Sequence, residues 1–131
     1  MDTAILKFLF TLKVPASIPQ SVEVMNPYES DPVREVCRLF YSKYYTVPGT
    51  RFLLIGINPG RFGGGITGIP FTDPIRLESH CGIPNSFEKK PEISSRFIYD
   101  MINAFGGPIS FFRNFLITAM SPLGFTRGGK N

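Results

Sequence analysis

Two short apolar runs, separated by a helical pattern, place the strongest limit on how this chain can fold. The first run is "RFLLIGI", residues 51–57, and the second is "NFLITAM", residues 114–120. Between them, a helix is predicted to begin with Ser94 or Ser95 as its cap and to end at the Gly-Gly pair 106–107. Continuous apolar runs are typical of strands covered on both faces, and a strand–helix–strand unit holds its strands parallel. The sequence therefore predicts an α/β domain with a parallel sheet.

Two more helices are predicted before the first strand. The opening "MDTAILKFLFTLK" is interpreted as a helix packed on the domain, because acidic Asp2 stands where a signal peptide would carry positive charge. The next helix begins at "SDPVREVCRLFYSKYY", with Asp31 as its cap and Pro32 at its first position. Its predicted apolar face comprises Val33, Val36, Cys37, Phe40, Tyr41 and Tyr44. The apolar positions of the helix between the strands are Phe97, Ile98, Met101, Ile102 and Phe105.

Length and composition limit the class of protein. A chain of 131 residues fits one domain, taken as residues 1–131, and 43% hydrophobic with 18% charged residues is typical of a globular protein. No apolar run approaches the roughly 18 residues that span a bilayer. The net charge is +4, and residues 101–131 contain three basic side chains and no acidic one. This basic excess fits either a nucleic-acid-binding patch or an ordinary solvated surface.

The residue types that hold metals are sparse. The two cysteines, Cys37 and Cys81, stand at no metal-ligand spacing and are interpreted as packing residues of a reduced, cytosolic protein. The single histidine, His80, lies outside any recognisable motif and is interpreted as a surface residue. The sequence therefore predicts no metal site and no cofactor.

A Gly-rich segment, "GINPGRFGGGITGIPFT", follows the first strand directly. Its five glycines between Gly56 and Gly65 exceed what a single turn needs, so we expect a backbone shaped to approach a ligand. Asn58 and Ser121 each lie just beyond the carboxyl end of a predicted strand, where open α/β sheets bind ligands. A phosphate loop is a weaker alternative, because the Gly-Lys-Ser ending is lacking and no helical pattern follows.

This segment resembles the first active-site motif of the uracil-DNA glycosylase superfamily. It is most similar to the single-strand-selective monofunctional branch, whose motif reads Gly-Met-Asn-Pro-Gly-Pro-Phe-Gly and, a few residues on, Thr-Gly-Val-Pro-Phe. The segments "VMNPYE", "EISSRFIYDMINAFGGPISFFRNF" and "SPLGFTRGGKN" resemble the same branch in the same order. The resemblance implies a three-layer α/β/α fold with a mainly parallel sheet.

The resemblance also implies roles for individual residues. Asn58 would be the catalytic residue that holds the attacking water, and Phe71 would stack on the base after it is flipped out of the DNA. The backbone N–H of Ile57 would donate to a base oxygen. The remaining implied contacts are those of Phe62 and Ala119 with the base, and of Pro59, Gly60 and Arg61 with the DNA backbone.

The chain departs from the family pattern in two places. Ala119 stands where the branch carries an Asn that reads the polar edge of uracil, so this reading would fall to the main chain, Thr118 or Ser121, or another damaged base would be preferred. A His-Pro loop, which supplies the family's other catalytic residue, is absent from these 131 residues. We therefore expect an incomplete domain, truncated at its C-terminus.

The leading hypothesis is a monofunctional DNA glycosylase of base excision repair that acts on DNA containing a damaged base. Two rivals stay open: a catalytically incomplete DNA-binding module of the same family, and an unrelated phosphate-binding α/β enzyme. We expect a monomer without a membrane partner. Its expected location is the cytoplasm near the nucleoid, or the nucleus in a eukaryote.

Overall fold

The computed structural model describes every residue from Met1 to Asn131. It contains α1 (Asp2–Phe10), β1 (Glu23–Met25), a 3₁₀ turn (Pro27–Glu29), α2 (Asp31–Tyr45), β2 (Phe52–Gly56), α3 (Gly64–Thr67), α4 (Pro74–Ser79), α5 (Ile93–Phe105), α6 (Pro108–Asn114), β3 (Phe115–Ala119) and β4 (Gly124–Thr126). The mixed α/β class predicted from the sequence is confirmed. None of the helices combines the length and the apolar character needed to cross a membrane.

Two small sheets organise the strands. β2 and β3 pair in parallel, with Leu54 opposite Ile117 and Gly56 opposite Ala119, as the strand–helix–strand pattern predicts. β1 and β4 form a separate antiparallel pair, which the sequence reading did not anticipate. Since each sheet has two strands and one of them is antiparallel, the predicted three-layer arrangement around a mainly parallel sheet is not established by these elements.

Helix α2 lies at the centre of the core. All six residues of its predicted apolar face are buried, and α1 and α6 pack against the helix. The predicted cap is wrong by one position: Ser30 has the extended backbone of a cap, whereas Asp31 is already helical. Cys37 is fully buried and lies near the carbonyl of Thr67, and burial raises the pKa of its thiol to about 12. Burial likewise raises the pKa of Cys81.

Strand β2 differs most from its prediction. The apolar run predicts a strand covered on both faces, yet Phe52, Leu53 and Ile55 are 73%, 58% and 57% exposed. β2 has one strand neighbour, β3, so one of its edges is unpaired, and the exposed side chains show that its faces are covered only in part. Leu54 is the β2 side chain that packs against the core.

Helix α5 also departs from its prediction. Its cap is Glu92, because Ser94 and Ser95 lie inside the helix, and the Ser95 hydroxyl instead accepts a hydrogen bond from the Asp73 N–H (3.0 Å). Of the apolar positions predicted, Ile102 is buried while Phe97 and Phe105 are exposed. The apolar period is real, but only one part of that face meets the rest of the chain.

Three short helices were missed by the sequence reading. α3 forms inside the Gly-rich segment, α4 lies in a region without apolar periodicity, and α6 directly precedes β3. α4 and α6 each begin with a proline at the first helical position, and Asp73 caps α4 by accepting from the Arg76 N–H (2.8 Å). The Asp-Pro pair that identified α2 thus recurs at Asp73–Pro74 and could have identified α4.

Asp73 joins α4 to the start of α5. Its fully buried carboxylate accepts from the Arg76 N–H, from the Arg76 guanidinium (2.9 Å) and from the Glu92 N–H (2.9 Å). A buried carboxylate is stable only when it is paired and hydrogen-bonded. Arg76 in α4 and the Glu92 N–H before α5 meet this requirement. Asp73 therefore fixes the chain that follows the Gly-rich segment.

Replacing Asp73 tests this role. Asp73→Ala leaves the Arg76 guanidinium and two backbone N–H groups without partners, so we expect the free energy of unfolding to fall by roughly 3 kcal/mol or more. Urea denaturation measures the loss. Asp100→Ala, on the exposed face of α5, is the matched control and should change stability by less than about 0.5 kcal/mol. Equal effects of the two variants would show that Asp73 is not a structural link.

Candidate functional site

The carboxyl ends of β2 and β3 meet at one edge of their sheet, as predicted. Beyond the last paired residues, the Met120 N–H donates to the Gly56 carbonyl (2.9 Å) and the Ser121 N–H donates to the Ile57 carbonyl (3.0 Å). The loop that carries Asn58 and the loop that carries Ser121 therefore leave the sheet side by side. Two segments far apart in sequence supply a common site.

The Gly-rich segment folds back on itself instead of running on as an open loop. The Gly60 carbonyl accepts from the N–H groups of Gly63 (3.3 Å) and Gly65 (2.8 Å), and α3 follows at once. Gly68 ends α3 in the left-handed conformation, φ 75°, where an added Cβ would lie 2.7 Å from Val33 Cγ1. Glycine is required there for both conformation and space. The expectation that no helix follows the segment is wrong, because α4 begins at Pro74, directly after it.

A side-chain hydroxyl fixes the return of this segment toward the sheet. Thr67 is fully buried, and its hydroxyl donates to the Thr72 carbonyl (2.6 Å) and accepts from the Ile69 N–H (3.1 Å). The Thr72 hydroxyl in turn lies 2.9 Å from the Tyr99 hydroxyl. Tyr28, which lies in the "VMNPYE" segment, donates to the Gly68 carbonyl (2.9 Å). The turn between Thr67 and Thr72 is thus held by buried hydrogen bonds.

Phe71 occupies this turn in an unusual conformation. Its φ is 53°, and it is the one non-glycine residue of the chain with a positive φ. Bulky side chains rarely adopt this backbone, which costs about 1–3 kcal/mol and persists only where neighbouring structure enforces it. The conformation brings the Phe71 ring over Gly56, where an added Cβ would lie 2.8 Å from Cε2 and Cζ. Gly56 therefore provides the space in which the ring lies at the end of β2.

These elements enclose a pocket of about 320 Å³. Four of the predicted site residues line it together, namely Asn58, Pro59, Phe71 and Ala119. The other four, Ile57, Gly60, Arg61 and Phe62, do not line it. The remaining walls, which the sequence reading missed, come from Ala4, Ile5, Phe8 and Leu9 of α1, from Tyr28 and Tyr41, from Leu116 to Thr118, and from Gly56, Gly64, Gly68, Pro70 and Pro122.

The pocket is neutral. No Asp, Glu, His, Lys or Arg lines it, and its ionisable groups are the phenols of Tyr28 and Tyr41. Burial is the main cause that raises the pKa of both phenols, so they stay protonated at neutral pH. His80 lies outside the pocket, 5.3 Å from the Tyr99 ring between centroids, with Nδ1 2.8 Å from the Ser79 hydroxyl. Polar recognition in the pocket thus depends on neutral groups.

Glu92 lies against the outer turn of the Gly-rich segment. An added Cβ on Gly60 or Gly63 would overlap its carboxylate, so the carboxylate lies directly against both glycines. Its Oε2 is buried without a hydrogen-bond partner, and burial, together with the nearby Asp73 carboxylate, raises the pKa of Glu92. No sequence signal would have brought Glu92 to this loop, because the contact joins segments about 30 residues apart.

Comparison with solved structures finds a strong similarity. The chain is similar to the crystal structure of wild-type Pedobacter heparinus SMUG2, with 42% sequence identity and a TM-score of 0.91. The match covers 99% of this chain and 57% of the SMUG2 chain. The resemblance to the uracil-DNA glycosylase superfamily is confirmed. No protein-family model matches the chain. No curated protein matches it.

The superfamily resemblance gives the position of Ala119 a specific meaning. Ala119 lines the pocket where the single-strand-selective branch would present an Asn side chain, and its methyl group can read no polar edge. Of the alternative groups, the Ser121 hydroxyl already donates to the Leu123 carbonyl (3.0 Å), and the N–H groups of Met120 and Ser121 are engaged at the strand ends. Thr118, which also lines the pocket, is the side chain that remains among these alternatives.

Gly56→Ala tests the packing of Phe71 on the strand end. The added methyl group would push the ring away, so we expect the free energy of unfolding to fall by about 1–3 kcal/mol, as for other overpacked sites. Urea denaturation measures the loss, and aromatic NMR shifts report the displaced ring. Gly49→Ala, whose Cβ would lie 3.9 Å from Arg51 Nη1, is the control and should be nearly neutral. An unchanged Phe71 spectrum in Gly56→Ala would contradict the packing.

Proposed function

We propose that this protein is a monofunctional DNA glycosylase of base excision repair, which hydrolyses the N-glycosidic bond of a flipped, damaged base such as uracil. The observation that carries the proposal is that Asn58 and Phe71 line one pocket at the carboxyl edge of β2 and β3, in a chain 42% identical to SMUG2. The chain spans 57% of the SMUG2 length. The activity of a complete protein is therefore proposed here and is not a property read from these residues. A complete three-layer fold with a mainly parallel sheet is proposed as well.

Asn58 has the chemistry that the hydrolysis requires. Positive charge develops on the sugar as the bond to the base breaks, and water must be aimed at C1′. A neutral amide orients this water without placing a full charge in an apolar pocket, whereas a carboxylate would also stabilise the sugar cation. No charged side chain lines the pocket around Asn58, which is consistent with a neutral amide as the group that orients the water.

Phe71 and the loop backbone would hold the base and the DNA. The ring is fixed by the turn between Thr67 and Thr72, so stacking a flipped base on it costs little further ordering. Pro59 lines the pocket, and Gly60 and Arg61 continue the loop away from it, where they would meet the DNA backbone. Ile57, whose carbonyl is bound by Ser121, would contribute its N–H to a base oxygen. We further propose a monomer acting at the nucleoid or in a nucleus.

A DNA-binding module without catalysis is the second candidate. The observation that favours it is the lack of any acidic or basic side chain in the pocket wall, because a departing base anion would find no cationic group there. The phosphate-binding alternative is less well supported, since the wall contains no Lys or Arg to add to the backbone N–H groups that could bind a phosphate. Excision separates the first two candidates, and binding of inorganic phosphate tests the third.

The catalytic role predicts the behaviour of Asn58→Ala. In a protein extended to include the His-Pro loop of the family, we expect Asn58→Ala to slow the release of uracil from a single-stranded oligonucleotide about 100-fold or more, while DNA affinity changes little. Single-turnover cleavage at abasic sites, resolved on denaturing gels, measures the rate, with Pedobacter heparinus SMUG2 run beside it as a reference. Binding without release by the unsubstituted protein would favour the module. Undiminished release by Asn58→Ala would remove Asn58 from the mechanism.

Phe71→Ala tests base capture. Stacking of a base on an aromatic ring contributes about 1–3 kcal/mol, so the dissociation constant for a uracil-containing oligonucleotide should rise about five- to 100-fold. Fluorescence anisotropy measures the constant, and circular dichroism checks that the variant is folded. Phe105→Ala, at the exposed end of α5, is the control. If both variants bind alike, Phe71 serves the core and not the base.

A further inference from the structure

Phe62 lies outside the pocket that its motif serves. The family resemblance implies contact with the base, yet Phe62 does not line the pocket and its side chain is 37% exposed. It stands three residues after Pro59, which does line the pocket, so the two are at most about 11 Å apart along the chain. An exposed aromatic ring within this distance of the pocket wall is close enough to contact a nucleotide next to one bound in the pocket.

Two cations flank this ring. The Arg61 guanidinium carbon lies 4.6 Å from the Phe62 ring centroid, and Lys90 Nζ lies 5.5 Å from it. Lys90 also pairs with Glu88 at 3.3 Å, but both side chains are largely exposed and such pairs are weak. The remaining nearby acid, Glu92, is turned toward Gly60 and Gly63. The ring therefore has two cations beside it, while the carboxylates of Glu88 and Glu92 lie near the same loop.

The C-terminal turn contacts the same loop. The Arg61 N–H donates to the Asn131 side-chain oxygen (3.3 Å), and an added Cβ on Gly124 would lie 3.1 Å from the Pro59 carbonyl. Arg127 and Lys130 are paired across this turn by two backbone hydrogen bonds. Two of the three basic residues in the last part of the sequence, Arg127 and Lys130, thus belong to a turn whose final residue contacts the Gly-rich loop.

We propose that Phe62, with Arg61 and Lys90, forms an outer subsite that stacks an unpaired base next to the flipped nucleotide and binds its phosphates. This inference rests on the proposed function, since it names a second contact on the same DNA strand. Aromatic rings beside cations bind single strands with little sequence preference, because every base has a face that stacks. The subsite acts on undamaged nucleotides, which lets it be tested without a lesion.

The chain contains no tryptophan, so a substituted tryptophan is a unique optical probe. We expect the emission of Phe62→Trp to be quenched when a lesion-free oligothymidine of twelve nucleotides is added, because a stacked base quenches the indole. Phe52→Trp, 73% exposed at the opposite end of β2 from the loop, is the control and should keep its emission. Equal quenching of the two probes, or none in either, would overturn the subsite.

Affinity provides the second measurement. Phe62→Leu should raise the dissociation constant for the same lesion-free oligonucleotide at least about fivefold, whereas Phe52→Leu should not. Arg61→Gln should lower the slope of log affinity against log salt by about one, whereas Arg113→Gln, on the exposed end of α6, should not. Unchanged affinity in Phe62→Leu, with the fold verified by circular dichroism, would refute the proposal.

The two proposals fail separately. Lesion-free binding that depends on Phe62, in a protein that releases no uracil, would support the subsite and reject the glycosylase. Uracil release that is insensitive to Phe62→Leu, together with unaltered lesion-free binding, would reject the subsite and leave the glycosylase intact.

Discussion

The parallel register of β2 and β3 is the constraint on which the site depends. It sets Gly56 opposite Ala119, so both strands end at the same level and their loops leave the sheet together. A shift of the register would separate Asn58 from Ala119 along the sheet edge. Parallel strands need a crossover, and α5 and α6 supply it between them. Helices α5 and α6 thus act on the pocket indirectly, by fixing which strand residues face each other, whereas α1 lines it directly.

A second set of interactions turns this edge into a pocket. The hydroxyl of Thr67 and the carboxylate of Asp73 satisfy backbone groups on either side of Phe71, and together they hold that residue in a backbone it would not adopt alone. The unfavourable free energy arises at the single residue Phe71. The hydrogen bonds that offset it involve α4, the residue before α5 and the Gly-rich segment. A recognition surface of this kind is rigid before any ligand arrives, which reduces the entropy lost on binding.

Sequence reasoning reached the parts of this structure that depend on local pattern. The two parallel strands, the buried face of α2 and the convergence of Asn58 and Phe71 follow from apolar periodicity and from one motif. It failed where distant contacts decide: β1 and β4 are three residues each and pair across about 100 positions, and Phe97 is exposed although its spacing matches a buried face. Phe62 and Arg61 were assigned to one motif with Asn58, but a folded-back loop separates them from the pocket. The role of each residue at the site stays a prediction until the variants are measured.

The two cysteines, described above as packing residues, can also report local opening of the core through their chemical labelling. Both thiols are buried, and burial raises the pKa of each, so the reactive thiolate is scarce in the folded protein. Cys37 lies on α2 beneath the Gly68 turn, and Cys81 follows α4 beside Tyr99. An alkylating reagent would therefore react with each cysteine according to how often its region opens. Comparison of the labelling of Cys37 and Cys81 would distinguish local opening near the pocket from local opening between α4 and α5. No probe needs to be added to the chain.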